Sequence, residues 1–230
     1  MSCYTRSNRI KGIRSIPQVL SVSEKSLALA VDILLDGGVV CIPTDTVYGL
    51  ASCVDNDLAV SKVFEIKGRE FSSPLPILLA SERELSQYSP LVNSTAKRLA
   101  NFFWPGALTI VLKKNEVICD SATSGLATAG FRVPANQVTR TICQFTGGAV
   151  TGTSANKTGY SAATSASEAL SQLEDSPLDL IIDGGSTLSN TASTVIDCTN
   201  DVPTILRHGA ISVSSLEQVL GKGVKFNEGS

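Results

Sequence analysis

The residues able to do chemistry sit where apolar runs end. After residues 39–42 come Pro43, Thr44, Asp45, Thr46, Val47, Tyr48 and Gly49, so a buried strand delivers hydroxyls and a carboxylate to a loop. Lys67 and Arg69 flank Gly68 where a helical pattern stops. Two cations there either complement the helix dipole, worth about 0.3–1 kcal/mol, or clamp phosphate, with arginine gripping bidentately and lysine acting as a point charge. Arg132 interrupts the strand-like Ala-Gly-Phe-Arg-Val-Pro of residues 129–134. A cation among apolar neighbours needs an anion, supplied by the chain's own Asp or Glu or by a ligand carboxylate. Residues 151–156, Thr-Gly-Thr-Ser-Ala-Asn, end another strand with hydroxyls and an amide, which form either a turn or a second wall of the same pocket. Ser193 and Thr194 open one strand-like run and Arg207 closes the next. The chemistry these types share is the holding of anions and hydroxyl-bearing small molecules.

Other chemistries find little support. His208 is the single histidine, and the six cysteines (3, 41, 53, 119, 143 and 198) form no C-x-x-C pair, which argues against a His-based triad or a zinc site. Neither a G-x-x-x-x-G-K-[S/T] loop nor a strand–G-x-G-x-x-G–helix unit occurs, which argues against a Walker or Rossmann nucleotide site. Gly184-Gly185 reads as a tight turn. Several cysteines lie inside apolar runs and read as buried free thiols of a reducing compartment.

The elements that must position these residues follow from periodicity. Apolar positions 27, 30, 31, 34 and 35 make a helical stripe with Ser23 as N-cap and Gly37-Gly38 as stop. Asn56 or Asp57 caps a second helix carrying Leu58, Val60, Val63 and Phe64. Further helices are expected over 94–103, 137–145, 167–173 (capped by Ser167) and 213–220, with a short helical turn at 81–87. Strands are expected at 39–42, 77–80, 107–112, 129–133, 149–153, 180–182, 193–196 and 204–206, and loops over 115–128 and 157–166. Strands alternating with helices, then clustering towards the end, predict an α/β domain on one mixed, twisted sheet with flanking helices.

With 230 residues, 43% hydrophobic and 17% charged, the chain is long enough to bury a full core. Its net charge of −2 demands neither nucleic acid nor an anionic membrane. Residues 1–22 hold Arg6, Arg9, Lys11 and Arg14 and no acid, so the remainder carries 15 Lys+Arg against 21 Asp+Glu. That start has some transit-peptide character, but the favoured reading is a flexible basic extension. No apolar run approaches the ~20 residues of a membrane span, and a cytoplasmic location is expected. The expected organisation is a basic extension over 1–22, one catalytic domain over 23–220 and a polar tail over 221–230.

In chain order, P-T-D-T-V-Y-G-L, K-G-R, F-W-P-G-A-L-T, F-R-V-P, T-S-A-N, I-I-D-G-G, S-T-V-I-D and L-R-H-G resemble the YrdC/TsaC family, the threonylcarbamoyl-AMP synthases of tRNA modification. The likeness spans about residues 25 to 212, and eight ordered blocks are far more specific than one. It implies an α/β fold with a large concave cavity and a nucleotidyltransferase reaction. L-threonine and bicarbonate give an N-carboxylated threonine, which attacks the α-phosphorus of ATP and releases pyrophosphate. A separate transferase would pass the threonylcarbamoyl group to adenosine 37 of tRNA. Mg2+ would accompany the nucleotide, with no protein-ligated metal.

The resemblance also implies roles by position. Lys67, Arg69, Ser154 and Asn156 would be the catalytic set. Lys67 and Arg69 would hold phosphates, with Ser73, Thr128, Asn156, Thr164 and Arg207 also on ATP. Thr46, Arg132, Ser154 and Ser193 would bind threonine, Arg132 taking its carboxylate. Three positions depart from the family pattern: Leu78 where many members carry a histidine, Ala192 in place of an acid, and His208 in place of proline. The chain resembles the short, single-domain members. Two rivals remain: a non-catalytic double-stranded RNA or tRNA-binding module, with which a weak tRNA contact would fit, and the carbamoyl-adenylate chemistry of hydrogenase-maturation proteins, which need further domains.

Overall fold

The computed structural model of the chain describes residues 16–68, 73–187, 189, 191–221 and 224–226. Strands are β1 (Gln18–Ser21), β2 (Val40–Ile42), β3 (Gly49–Ala51), β4 (Ile77–Leu79), β5 (Leu108–Lys113), β6 (Thr128–Arg132), β7 (Ala149–Thr151), β8 (Thr153–Ser154), β9 (Leu180–Asp183), β10 (Thr194–Asp197), β11 (Thr204–Arg207) and β12 (Lys225–Phe226). Helices are α1 (Glu24–Leu35), α2 (Asp57–Lys67), α3 (Leu85–Tyr88), α4 (Ser94–Phe103), α5 (Gln137–Phe145), α6 (Ala166–Leu173) and α7 (Val213–Leu220).

The helix starts obey capping chemistry. Ser23, Asn56, Asn93, Asn136, Ser165 and Ser212 each accept a hydrogen bond from the backbone N–H three residues on, a contact worth about 1 kcal/mol apiece. The cap of α6 is therefore Ser165 and not Ser167, because the Ser165 hydroxyl reaches Glu168 N–H. In α1 the buried stripe is Ser26, Ala30 and Leu34, spaced by four, while Leu35 is exposed.

Pairing is mixed, as expected, but the strands divide between two sheets. One runs β1-β9-β2-β3-β8 and the other β12-β11-β10-β5-β6-β4-β7. The run at 149–153 was expected to be one strand. It breaks at Gly152: β7 pairs with β4 in the larger sheet, and β8 pairs with β3 in the smaller. At this crossing the segment between the sheets is a single glycine long. β3 itself, Gly49-Leu50-Ala51, was unexpected, since three residues are too few to show a period.

Two further corrections concern the ends. Residues 18–21 of the expected extension form β1, parallel to β9, and residues 225–226 of the expected tail pair with β11. Both are short strands added at a sheet edge, held by backbone pairing, so their sequences need little apolar character. Residues 1–15 and 227–230 lie outside the described residues. The expected loop at 115–128 contains a 3-10 turn, Asp120–Thr123.

Strand parity decides what faces the core. In β2 and β9, Val40, Ile42, Leu180 and Ile182 join Ala30, Leu34 and Ile142 beneath α1 and α5. Cys41 and Ile181 point the other way into the main core, with Phe64, Phe131 and Leu99. Being covered on both faces explains the unbroken apolar run of β2. Five cysteines are free, four of them buried; burial pushes the thiols of Cys53, Cys143 and Cys198 up to about 11, 12 and 12. Cys3 lies outside the described residues.

Gly152 has no room for a side chain: a Cβ there would sit 2.3 Å from Leu78 Cγ and within 2.8 Å of both its methyls. Gly152→Ala should lower the unfolding free energy by about 1–3 kcal/mol through overpacking. Urea denaturation of Gly152→Ala, Leu78→Ala and the double variant checks this: the double variant should lose less than the two singles combined.

Candidate active site

The loop between β2 and β3 is built around one hydroxyl. Thr44 Oγ1 accepts from the N–H groups of Thr46 (3.1 Å) and Val47 (3.3 Å) and donates to Val47 O (2.7 Å). Such local side-chain bonds fold the chain back without a helix or ladder. Thr44's one proton is spent on Val47 O, so in its 3.0 Å pair with Thr46 Oγ1 the proton comes from Thr46. Thr139 Oγ1 on α5 donates to Pro43 O and fixes where the loop begins. At the loop's far end Tyr48 is fully buried; its hydroxyl donates to Gly185 O (2.6 Å) and accepts from Gly184 N–H (3.1 Å).

The larger sheet supplies the floor. On β6 the alternate residues Thr128, Gly130 and Arg132 face a cavity of about 490 Å³, while Ala129 and Phe131 belong to the core. Thr109 and Val111 on β5, and Ser193 and Val195 on or beside β10, extend the same face. A Cβ on Gly130 would meet Thr109 Cγ2 at 2.9 Å, so the glycine keeps the floor open next to the threonine.

Arg132 is 5% exposed, and its guanidinium is held at three corners. Nε donates to Gly106 O (2.9 Å), Nη1 to Thr46 Oγ1 (3.0 Å) and Nη2 to Asp45 Oδ1 (2.6 Å). Of the two origins considered for its anion, the chain supplies its own, Asp45, 87 residues away. Among the described residues these contacts use three of its five N–H groups. Burial lowers the pKa of this guanidinium, and the Asp45 carboxylate acts against that shift.

Arg207 stands on the cavity rim. Its Nε and Nη2 donate to Ser193 O (3.3 and 2.9 Å) and Nη2 also to Ser193 Oγ (3.2 Å). Ser193 Oγ in turn lies 2.8 Å from Thr109 Oγ1. Among the described residues no carboxylate pairs with Arg207. Burial, and then the like charge of Arg132, lower its pKa, so the two guanidiniums share one electrostatic neighbourhood. Gly209 makes this possible, because a Cβ there would come within 2.4 Å of the backbone at residues 193–194.

The cavity gathers Thr46, Ser73, Thr128, Arg132, Ser154, Ser193 and Arg207 of the expected residues. Lys67 and Asn156 stand behind Ser154. Lys67 Nζ is 2.6 Å from Ser154 O, 3.1 Å from Asn156 O and 3.3 Å from Asn156 Oδ1. Gly68, the left-handed C-cap of α2 at φ 59°, turns the chain just after it. Asn156 Nδ2 donates to Lys157 O and Tyr160 O, closing the next turn. Thr164 is not brought to the lining: its N–H and Oγ1 both donate to Glu168, holding that carboxyl below its usual range. Arg69 lies outside the described residues. Leu78 and Ala192, two of the family departures, line the cavity. The site residues missed from sequence are Thr44, Asp45, Tyr48 and Thr109. Asp45 and Tyr48 could have been found inside the loop already singled out, and Thr109 from its parity with Val111.

Burial raises the Tyr48 phenol from 10.0 to about 12. The folded chain then holds that proton more tightly than the unfolded chain, so the stabilisation is complete below pH 10 and is lost as the pH rises towards 12. Tyr48→Phe should lower stability at neutral pH by about 0.5–1.5 kcal/mol, since Gly185 O and Gly184 N–H lose their partner to solvent. Urea unfolding at about pH 9 and about pH 11 should then show the variant losing less with pH than the wild type, by up to about 1.4 kcal/mol per pH unit.

Comparison with known proteins bears on the family and the fold. The Sua5/YciO/YrdC family, described as telomere recombination, matches residues 32–209. Threonylcarbamoyl-AMP synthases of Pyrococcus abyssi and Bacillus subtilis are each 35% identical over 201 and 203 residues, covering 87% and 88% of this chain. The chain spans about three-fifths of the length of these relatives, 59% and 58%. The crystal structure of Pyrococcus abyssi Sua5 complexed with L-threonine superposes with a TM-score of 0.86 at 34% identity, over 92% of this chain and 62% of that one. Fold, site and sequence together make this chain a member of the Sua5/YciO/YrdC family.

Proposed function

We propose that the chain is a threonylcarbamoyl-AMP synthase, a nucleotidyltransferase that makes threonylcarbamoyl-AMP and pyrophosphate from L-threonine, bicarbonate and ATP. The observation that carries this reading is the meeting of Thr46, Ser154 and Ser193 with two guanidiniums around one cavity of about 490 Å³, within the roughly 300–1,000 Å³ typical of small-molecule sites. The names of the relatives, and the L-threonine bound by the archaeal Sua5, support it.

In this reading the threonine lies on the floor. The two N–H groups of Arg132 beyond those three contacts would meet its carboxylate, and Thr46 Oγ1, already donating to Thr44 and accepting from Arg132, keeps one acceptor site for the amine. Ser193 would add a hydroxyl. The nucleotide lies towards Arg207, Ser73 and Thr128, with Arg69 also on its phosphates. Lys67 sets the Ser154–Asn156 turn against which the phosphates rest. A carbamate oxygen forms a bond to the α-phosphorus, and the bond from that phosphorus to the bridging oxygen of pyrophosphate breaks. The protein's part is positioning and charge neutralisation, so no covalent nucleophile is required.

Mg2+ would arrive on the nucleotide, where it neutralises the leaving pyrophosphate. The residues present suit a substrate-borne ion, since Asp45 is already paired with Arg132. The adenylate would pass to a separate transferase acting on adenosine 37 of tRNA. No helix among the described residues is long and apolar enough to cross a membrane, and we place the activity in the cytoplasm. A tRNA-binding module of the same fold is the second reading. A hollow whose lining includes the buried hydroxyls of Thr44, Thr46, Thr109 and Ser193 favours small substrates over a nucleic-acid backbone.

Pyrophosphate release by the purified chain should require ATP, threonine and bicarbonate together, and release that ignored threonine would contradict the proposal. Arg207→Ala should lower kcat/KM for ATP by about 100-fold, as expected for a lost charged contact of ~2–3 kcal/mol. Arg132→Ala should raise the KM for threonine more than that for ATP; equal effects would remove its carboxylate role.

A further inference from the structure

The two guanidiniums at the cavity are not equivalent. Arg132 carries a 2.6 Å ion pair to Asp45, whose carboxylate offsets its charge, and Gly106 O and Thr46 Oγ1 fix the plane of the group. Among the described residues, Arg207 donates to the neutral oxygens of Ser193. Asp45 itself does not line the cavity, and its side chain is 15% accessible. It reaches the site only through Arg132.

We infer that Asp45 is a positioning and specificity residue: it turns Arg132 into a neutral hydrogen-bonding fixture for the amino acid and leaves Arg207 as the anion anchor. The inference rests on the substrates proposed above. Its logic is that of sorting two anions of different charge. A single carboxylate is held adequately by two fixed N–H bonds. A polyphosphate seeks net positive charge, and of these two guanidiniums it finds that at Arg207. Asp45 therefore works against the product pyrophosphate lodging at the amino-acid end, a repulsive element of the kind that specificity needs.

Titration calorimetry on the full chain, with inorganic pyrophosphate and L-threonine as probes, tests this. Asp45→Asn should bind pyrophosphate about 5-fold more tightly, with a steeper salt dependence, because one negative charge is removed beside the site. The same variant should bind threonine at least about 10-fold more weakly, because Arg132 is no longer fixed. Asp45→Asn/Arg132→Met removes both members of the pair and should keep pyrophosphate affinity within about 2-fold of the wild type, whereas Arg207→Met should lose about 10-fold or more. The double variant buries no unpaired charge, so it decides the matter if circular dichroism shows that Asp45→Asn alone does not fold. Unchanged or weaker pyrophosphate binding by folded Asp45→Asn would overturn the inference. So would a double variant as weak as Arg207→Met. A wild type blind to both probes would overturn the parent reading and this one with it.

Discussion

A guanidinium taken out of water must be met by something, and in this chain that requirement ties the fold together. Arg132 lies at the end of β6 with its neighbours packed in the core. Its three donors reach the loop after β2 and the turn after α4. Two distant segments are thereby brought to the same point. The hydroxyl of Thr46 is oriented by the same contact, since Arg132 fixes which lone pair is used and Thr44 fixes where the proton points. Leaving such a charge buried and alone typically costs several kcal/mol, so the arrangement is specified and not merely tolerated.

Around that point the geometry of strands does the rest. Residues two apart share a face, so β5, β6 and β10 present one set of side chains to the core and the alternate set to the cavity. Thr109, Thr128, Gly130, Arg132 and Ser193 all follow from that alternation. The smaller sheet adds the opposite wall through β3 and β8, where Gly49 pairs with Ser154. Lys67 holds this wall from behind, its ammonium gathering the oxygens of Ser154 and Asn156. The site is the gap between the two sheets, one of whose crossings is at Gly152.

Much of this was legible in the sequence, for identifiable reasons. α4 and α5 end where they were expected because Trp104-Pro105 and Gly147-Gly148 stop them. The polar residues stood where apolar or helical runs begin, break or end, and seven of the eleven expected side chains line one cavity. What was hidden was pairing at long range. Nothing local says that Asp45 and Arg132 meet, or that the ammonium of Lys67 reaches the Ser154–Asn156 turn across 87 residues. The break at Gly152 was equally silent, since it depends on the bulk of Leu78 on another strand. Edge strands of two to four residues, β1 and β12, are fixed by the backbone of their neighbours and carry almost no pattern of their own.

The central claim is that one hollow holds an amino acid at Arg132 and a nucleotide at Arg207. A crystal structure of this chain with L-threonine and a non-hydrolysable ATP analogue tests it most directly. The account predicts the threonine carboxylate within hydrogen-bonding distance of Arg132 and the phosphates beside Arg207, both in the cavity floored by Gly130. Density for either ligand on another face, or a threonine turned with its carboxylate away from Arg132, would contradict it.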